Sequence, residues 1–330
     1  MPVFPCWLLL HFAVAAGGTW LAIRYALGRK LLDQPGERRS HSTATPRGGG
    51  IAIVAAVLLG IAWLAISQPT HALPLAACGF GLVLVAGIGW VDDHVPLPAR
   101  PRLLVQALAA SIVAWAIHRT TAVMLDAVFA FALIMVMVNV WNFMDGIDGL
   151  AASQAGIAAA GLALVPGVGP WAWLGVGLFA GVAGFLPFNF PKARIFLGDV
   201  GSGALGFLLA LLILAVFIGR RSQWPFLLLP VSVFLIDAGF TLGMRMLRGE
   251  RWWEPHVQHA YQSWSRRLGS HVPVTMAYAA STLFAVVLML LALRWPQPLL
   301  NWVCWAWYGL LVLAWARLRR DVRLSKETGR

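Results

Sequence analysis

Long apolar stretches interrupted by Pro, Gly or charge dominate the chain. They fall at approximately 4–27, 48–67, 73–91, 102–117, 121–139, 150–166, 170–188, 202–219, 224–244, 273–293 and 297–316. Each is close to the ~20 residues a helix needs to cross the hydrocarbon core of a bilayer. The pattern predicts an all-α, polytopic membrane helix bundle of about eleven transmembrane helices, forming a single domain over 1–330 without internal repeats. The apolar stretch at 8–16 has no basic residue before it, and the first positive charges follow it. It is therefore read as a retained first span and not a signal peptide.

Orientation follows from Lys and Arg. With the loop after the first span placed inside, inside basic residues outnumber outside ones by about five to one, the outside ones being Arg119, Arg220, Arg221 and Arg294. The positive-inside bias predicts the N-terminus out and the C-terminus in, with Arg220–Arg221 as a local violation. An odd number of spans agrees with ends on opposite sides. In this topology nearly all polar residue clusters gather on the cytoplasmic side.

Composition supports the same picture. The 330 residues are 60% hydrophobic and only 12% charged, and the mean hydropathy is +0.76. Soluble domains carry about 25% charged residues. A net charge of +12 would suggest nucleic acid in a soluble protein, but here the basic residues lie in short loops and the tail, where topology and anionic lipid account for them. No nucleic-acid signal is present. Cys6, Cys78 and Cys304 stand alone in apolar runs, without metal-ligand spacing.

Against this background, the stretch 139–150, NVWNFMDGIDGL, stands out, with Asn139, Asn142, Asp145 and Asp148 placed within ten residues and broken by glycines. If helical, it puts Asn142, Asp145 and Asp148 in one column of oxygens, which suits a hard cation such as Mg2+ or the hydroxyls and amides of a sugar nucleotide. The competing reading is a polar surface loop with capping acids. Asp92 and Asp93 close the third span. Adjacent helical residues point about 100° apart, so the pair divides its work: one toward a reacting phosphate or metal, the other toward a neighbouring loop. Asp199 sits in FLGDVGSGALG, where helix-start amides can receive phosphate oxygens and the acid can hold a bridging cation. The glycines also suit close helix packing.

Further candidates lie in the other inside loops. Arg38, Arg47 and His41 can neutralise phosphate, although basic residues in an inside loop need no such role. His256 and His259, three apart in WWEPHVQHAYQ, lack a third convergent ligand for zinc and are read as phosphate-site donors. Asp237 is an intramembrane acid, paired with Arg245 or with another helix.

The segments VDDH, NVWNFMDGIDGLA and FLGDVGSGALG, in this order and on one side, together with DQPGERRSHSTATPRGGG, resemble the polyprenyl-phosphate N-acetylhexosamine-1-phosphate transferases. That family includes the undecaprenyl-phosphate GlcNAc-1-phosphate transferases and the phospho-MurNAc-pentapeptide translocase. The resemblance implies a Mg2+-dependent transfer, with Mn2+ able to substitute, of a sugar 1-phosphate from a UDP-N-acetylhexosamine to undecaprenyl phosphate with release of UMP. It implies a bacterial inner-membrane location with the site facing the cytoplasm, and is compatible with a homodimer. It assigns Asp92 and Asp93 to catalysis and Asp199 and Asn142 to the metal. Asp145, Asp148, Asn139, Phe196 (as a base-stacking ring), His256, His259, Arg38, Arg47, Lys192 and Arg194 are assigned to substrate. Where many members carry three or more His in the fifth loop, this chain has PHVQHAYQ. That form looks more like O-antigen-initiating members that use 6-deoxy sugars such as FucNAc or QuiNAc, with GlcNAc as the other expectation.

A transporter or flippase of a lipid-linked or anionic solute is the competing class. Transporters place polar groups and broken helices near mid-membrane, whereas here the acids collect at one interface. CDP-alcohol phosphotransferases need a different acidic pattern.

Overall fold

The computed structural model describes residues 3–34, 44–165, 167, 169–250, 257–293 and 297–327. Among the described residues the chain is an all-α bundle with one two-stranded sheet. Its helices are α1 (Val3–Gly28), α2 (Ile51–Ser67), α3 (Ala72–His94), α4 (Ala99–Thr121), α5 (Met124–Met144), α6 (Leu150–Ala163), α7 (Pro170–Asn189), α8 (Gly198–Gly219), α9 (Trp224–Leu227), α10 (Ser232–Leu247), α11 (Ala260–Leu268), α12 (Val272–Ala292) and α13 (Gln297–Glu327). Strands β1 (Leu32–Asp33) and β2 (Thr45–Pro46) pair antiparallel, with Leu32 opposite Pro46.

Every predicted apolar run is helical, but the runs are not equal. Among the described residues, eight segments are long and apolar enough to cross a membrane, including 69–94 and 221–247, each of which joins an α-helix to shorter turns before it. Helices α2 and α6 are apolar but shorter, at 17 and 14 residues. The ninth predicted run is interrupted: Pro225 and Pro230 start α9 and a 3-10 turn, and regular helix resumes only at Ser232. Proline lacks the amide hydrogen that would bond to the preceding turn, so a continuous helix cannot run through both.

Helix α8 is the hub. It is buried along nearly its whole length and packs against α3 and α5, while α1, α2, α6 and α7 form the adjoining layer. An almost uninterrupted apolar sequence with no polar stripe matches that position, because every face meets another helix. At one end of the bundle, Arg221 meets the buried carboxylate of Asp126 through Nε at 2.8 Å and Nη2 at 2.5 Å. This ion pair accounts for the charge that breaks the positive-inside pattern.

Candidate functional site

Three separate segments bring the acids together. Helix α3 delivers Asp92 and Asp93 in its last turn, the first turn of α8 delivers Asp199, and the end of α5 delivers Asn142. The Asp92 and Asp199 carboxylates lie within hydrogen-bonding distance of one another. Arg102 Nη1 sits between them, 2.8 Å from Asp92 Oδ2 and 3.6 Å from Asp199 Oδ2. Asn142 Nδ2 donates to Asp199 Oδ1 at 2.6 Å and to Ser202 Oγ at 3.2 Å. Asp92 Oδ1 accepts from the Leu97 amide at 2.5 Å, which folds the proline-rich connection back over the cluster.

Backbone contact sets this geometry. The Gly49 and Gly50 amides donate to the Phe196 and Leu197 carbonyls, both at 2.9 Å, and the Phe196 amide donates to the Pro46 carbonyl at 2.8 Å. The RGGG segment is thereby zipped to the strand-like entry of α8. A Cβ on Gly50 would lie 2.2 Å from Gly201 Cα, so only glycine permits this approach. Likewise a Cβ on Gly89 would meet the Asp199 carbonyl oxygen at 2.4 Å, so Gly89 fixes how closely α3 and α8 approach beside the acids.

The adjacent acids do divide their roles. Asp92 faces Asp199 and Arg102. Asp93, 2% exposed, accepts from the Asp199 amide (3.0 Å) and the Val200 amide (3.1 Å), while Arg47 approaches through Nε at 3.8 Å. A side chain from another helix thus caps α8. Those two amides were an expected phosphate receptor; they are instead satisfied by Asp93, because a buried amide needs a permanent acceptor.

The stretch 139–150 is not one helix. Helix α5 ends at Met144, Asp145 caps it with φ −90° and ψ 60°, and α6 starts at Leu150. The expected single column of oxygens is therefore replaced by a loop. Asp145 lies in that loop, where burial and the charges of Asp93 and Asp148 push its pKa up to about 7. The Asp148 carboxylate accepts from the Ala193 amide at 3.2 Å and lies 3.3 Å from His271 Nδ1, and the Thr275 hydroxyl donates to its carbonyl at 2.8 Å. Asp145, coupled to both Asp93 and Asp148, links the two halves of the cluster.

The other expected residues fall around this centre. Arg47 is bonded to the Asp93 carbonyl and lies 3.4 Å from that of Asp92. Half-buried Phe196 is part of the zipper. Lys192 is exposed on the loop that donates Ala193 to Asp148, and Arg194 on the same loop bonds the Pro187 carbonyl and lies over the Phe188 ring. Asn139 is turned to α4, where Nδ2 donates to Gln106 Oε1 at 3.0 Å. His259 is buried at the N-cap of α11, 3.7 Å from Asp237 Oδ1. Arg38, His41 and His256 lie outside the described residues.

Asp237 does not pair with Arg245, which meets Glu250 at 2.9 Å. Its carboxylate accepts from the Ala260 amide (2.8 Å), the Tyr261 amide (3.1 Å) and the Tyr278 hydroxyl (2.8 Å). The start of α11 is held in this way, and the Tyr261 hydroxyl reaches the Phe143 carbonyl at 3.1 Å, beside Asp145. Burial and the charges of Asp237 and Asp145 raise the Tyr261 pKa well above its ordinary value, so it is a neutral donor. Sequence reasoning passed over Arg102, Ser202, His271 and Thr275. Arg102 had a signal, as a cation ten residues after Asp92 in a short proline-rich turn.

The residues fit a hard divalent cation. Asp92 and Asp199 are carboxylates in contact with one cationic side chain between them, and Asn142, with Nδ2 engaged, has Oδ1 left to face an ion. Among the described residues no group of three or more His, Cys, Asp or Glu side chains forms a ready cage. Mg2+ takes one or two carboxylates and completes its shell with water and substrate phosphates, a set to which Asp199 and Asn142 would contribute.

Much of this sequence is shared with known proteins. Residues 75–217 match the model of glycosyl transferase family 4, a span that holds Asp92, Asp93, Asn142, Asp145, Asp148 and Asp199. Over 208 residues the chain is 35% identical to a decaprenyl-phosphate N-acetylglucosaminephosphotransferase of Mycobacterium tuberculosis, covering 53% of this chain and 51% of the relative. A probable undecaprenyl-phosphate N-acetylglucosaminyl 1-phosphate transferase of Bacillus subtilis is 27% identical, with 80% and 78% covered. A phospho-N-acetylmuramoyl-pentapeptide-transferase of Pelotomaculum thermopropionicum is 32% identical, with 56% and 65% covered. The match spans about half the length of the mycobacterial relatives. The resemblance carried by the motifs thus holds: residues 75–217 are similar to glycosyl transferase family 4, and the relatives matched are polyprenyl-phosphate sugar-phosphate transferases.

Proposed function

We propose that the protein transfers an N-acetylhexosamine 1-phosphate from a UDP-sugar to undecaprenyl phosphate, releasing UMP, at the cytoplasmic face of a bacterial inner membrane. The observation that carries this reading is the meeting of Asp92, Asp199, Asn142 and Arg102 at the end of a membrane bundle, beside the Asp145–Asp148 loop. The relatives' names point to GlcNAc, and the PHVQHAYQ loop to a 6-deoxy analogue and an O-antigen-type product.

Mg2+, when bound, would neutralise the diphosphate and the developing charge on the leaving nucleotide. Asp199 and Asn142 would hold it. Asp92 is 7% exposed and fixed by the Leu97 amide and Arg102, which makes it a group of set direction. A phosphate monoester has a second pKa of about 6 and is already mostly dianionic near neutral pH, so Asp92 would orient the lipid phosphate or take the proton from the minority monoanion. Arg102, partly exposed between the acids, would stabilise phosphate oxygens on the open side of the cleft. Asp145 and Asp148 would meet the nucleotide sugar, and Asp93 would keep α8 in place.

Assaying UMP release from a panel of UDP-N-acetylhexosamines, with membranes containing the protein, undecaprenyl phosphate and Mg2+, tests the proposal. Release with one or more sugars, lost in Asp92→Asn and Asp199→Asn, is the expected result. Absence of release with every sugar refutes it.

A further inference from the structure

A second site lies at the end of α1. A polar cleft of about 460 Å³ opens there, lined by Tyr25, Arg29, Lys30, Arg47, Asp93 and His94. An apolar groove of about 370 Å³, with Leu21, Ala22, Ile51 and Trp90 in its walls, continues from it and shares Tyr25, Arg47, Asp93 and His94. Asp92, Asn142, Asp145, Asp148 and Asp199 line neither.

We propose that this composite cavity binds one anionic phospholipid of the surrounding bilayer, its phosphodiester in the polar cleft and an acyl chain in the groove. Charge argues first. Arg29, Lys30 and Arg47 face the cleft against one carboxylate, Asp93, which is already engaged by the α8 amides. Arg47 is itself held by Asp93, which leaves Arg29 and Lys30 as the cations that favour an anion, and each exposed Lys or Arg near a membrane surface adds attraction for anionic lipid. Shape argues second. A polar head region running into an apolar channel between the ends of α1, α2 and α3 has the amphipathic form of a lipid. The backbone argues third. Lys30 has φ +54°, a left-handed position after a helix end where glycine is usual, and a lysine there sets an ammonium at the rim.

The polar belt fits the same depth. His94 Nδ1 faces the Trp90 carbonyl at 2.8 Å and so carries the ring proton, and the Tyr25 hydroxyl donates to Nε2 at 3.1 Å. Trp90 packs against His94 with the rings tilted by 40° and centroids 4.0 Å apart. Tyr and Trp in this arrangement mark the headgroup level. The inference does not depend on the transfer reaction.

Native mass spectrometry of the full-length protein, titrated with phosphatidylglycerol, phosphatidylcholine or undecaprenyl phosphate, tests it. The wild type is expected to bind phosphatidylglycerol in preference to phosphatidylcholine. Arg29→Gln should weaken phosphatidylglycerol about fivefold, and Arg29→Gln with Lys30→Gly about thirtyfold, on the scale of one cationic contact each. Lys30→Gly suits the left-handed backbone, so the double variant should keep the wild-type melting temperature in lipid-free detergent. Unchanged phosphatidylglycerol affinity in the double variant overturns the proposal. So does undecaprenyl phosphate displacing phosphatidylglycerol and losing affinity in parallel, which would assign the cavity to the acceptor lipid.

Discussion

Replacing each of the adjacent acids by asparagine should have opposite signatures. In Asp93→Asn, two buried backbone amides share a neutral amide group in place of a carboxylate that accepts from both at 3.0 and 3.1 Å. A hydrogen bond to a charged acceptor contributes about 1.5–3 kcal/mol, and a buried amide left without an acceptor costs about 1–3 kcal/mol. One amide keeps a carbonyl partner and the other faces an NH2 group, so the loss is about 3 kcal/mol, or roughly 4 °C of melting temperature. In Asp92→Asn the Leu97 amide keeps an acceptor and Arg102 keeps Asp199, while the contact between two carboxylates is relieved. The change in stability should be below about 1 kcal/mol. Thermal unfolding in detergent, run beside the UMP-release assay, separates the two. Both variants should lose turnover, but only Asp93→Asn should melt early. Equal destabilisation by both, or a thermally neutral Asp93→Asn, would refute the assignment of Asp93 to capping α8.

Other outcomes follow from the same geometry. Arg102→Gln removes the cation between Asp92 and Asp199, so Mg2+ should raise the melting temperature of this variant more than that of the wild type; an equal response would place the ion elsewhere. Gly89→Ala puts a methyl group 2.4 Å from the Asp199 carbonyl oxygen, which must shift α3 from α8, and turnover should fall at least about tenfold while the protein still inserts, as read by UMP release per inserted molecule. Without divalent ions, Asp145 keeps its proton to about pH 7 in the folded state and loses it near pH 4 when unfolded. The folded state then holds the extra proton between those values, so this group makes stability fall as pH rises from about 4 to about 7. Asp145→Asn should flatten that slope in melting curves taken across the range.

The sequence made the bundle legible because burial in lipid demands long apolar runs, and each run became a helix. It also located the acids, since four motifs far apart in the chain share one polarity and one side. What it hid were partners. Asp145 and Asp148 could be placed on a helix by spacing, but spacing does not reveal that α5 stops at Met144, where Gly146 and Gly149 follow and the loop is held from outside by His271 and Thr275. Helix geometry separated the work of Asp92 from that of Asp93, but only the approach of α8 shows which acid takes which role. The ninth run read as continuous because its hydrophobicity outweighed Pro225 and Pro230, whose effect is on backbone geometry and not on polarity. Asp237 was expected on Arg245, in its own helix, or on another helix; its partners come from the start of α11 and from α12, a choice that no local pattern encodes.

The Asp126–Arg221 pair has reach beyond its own end of the bundle. Asp126 lies in the first turn of α5, and Arg221 follows the last turn of α8; at the opposite ends of the same two helices stand Asn142 and Asp199, 2.6 Å apart. A slip of one residue along a helix is about 1.5 Å, enough to break the contact between Asn142 and Asp199. Clasped at one extremity, the two rods cannot slide past each other, so a distant ion pair acts as the bookend that keeps Asn142 and Asp199 level.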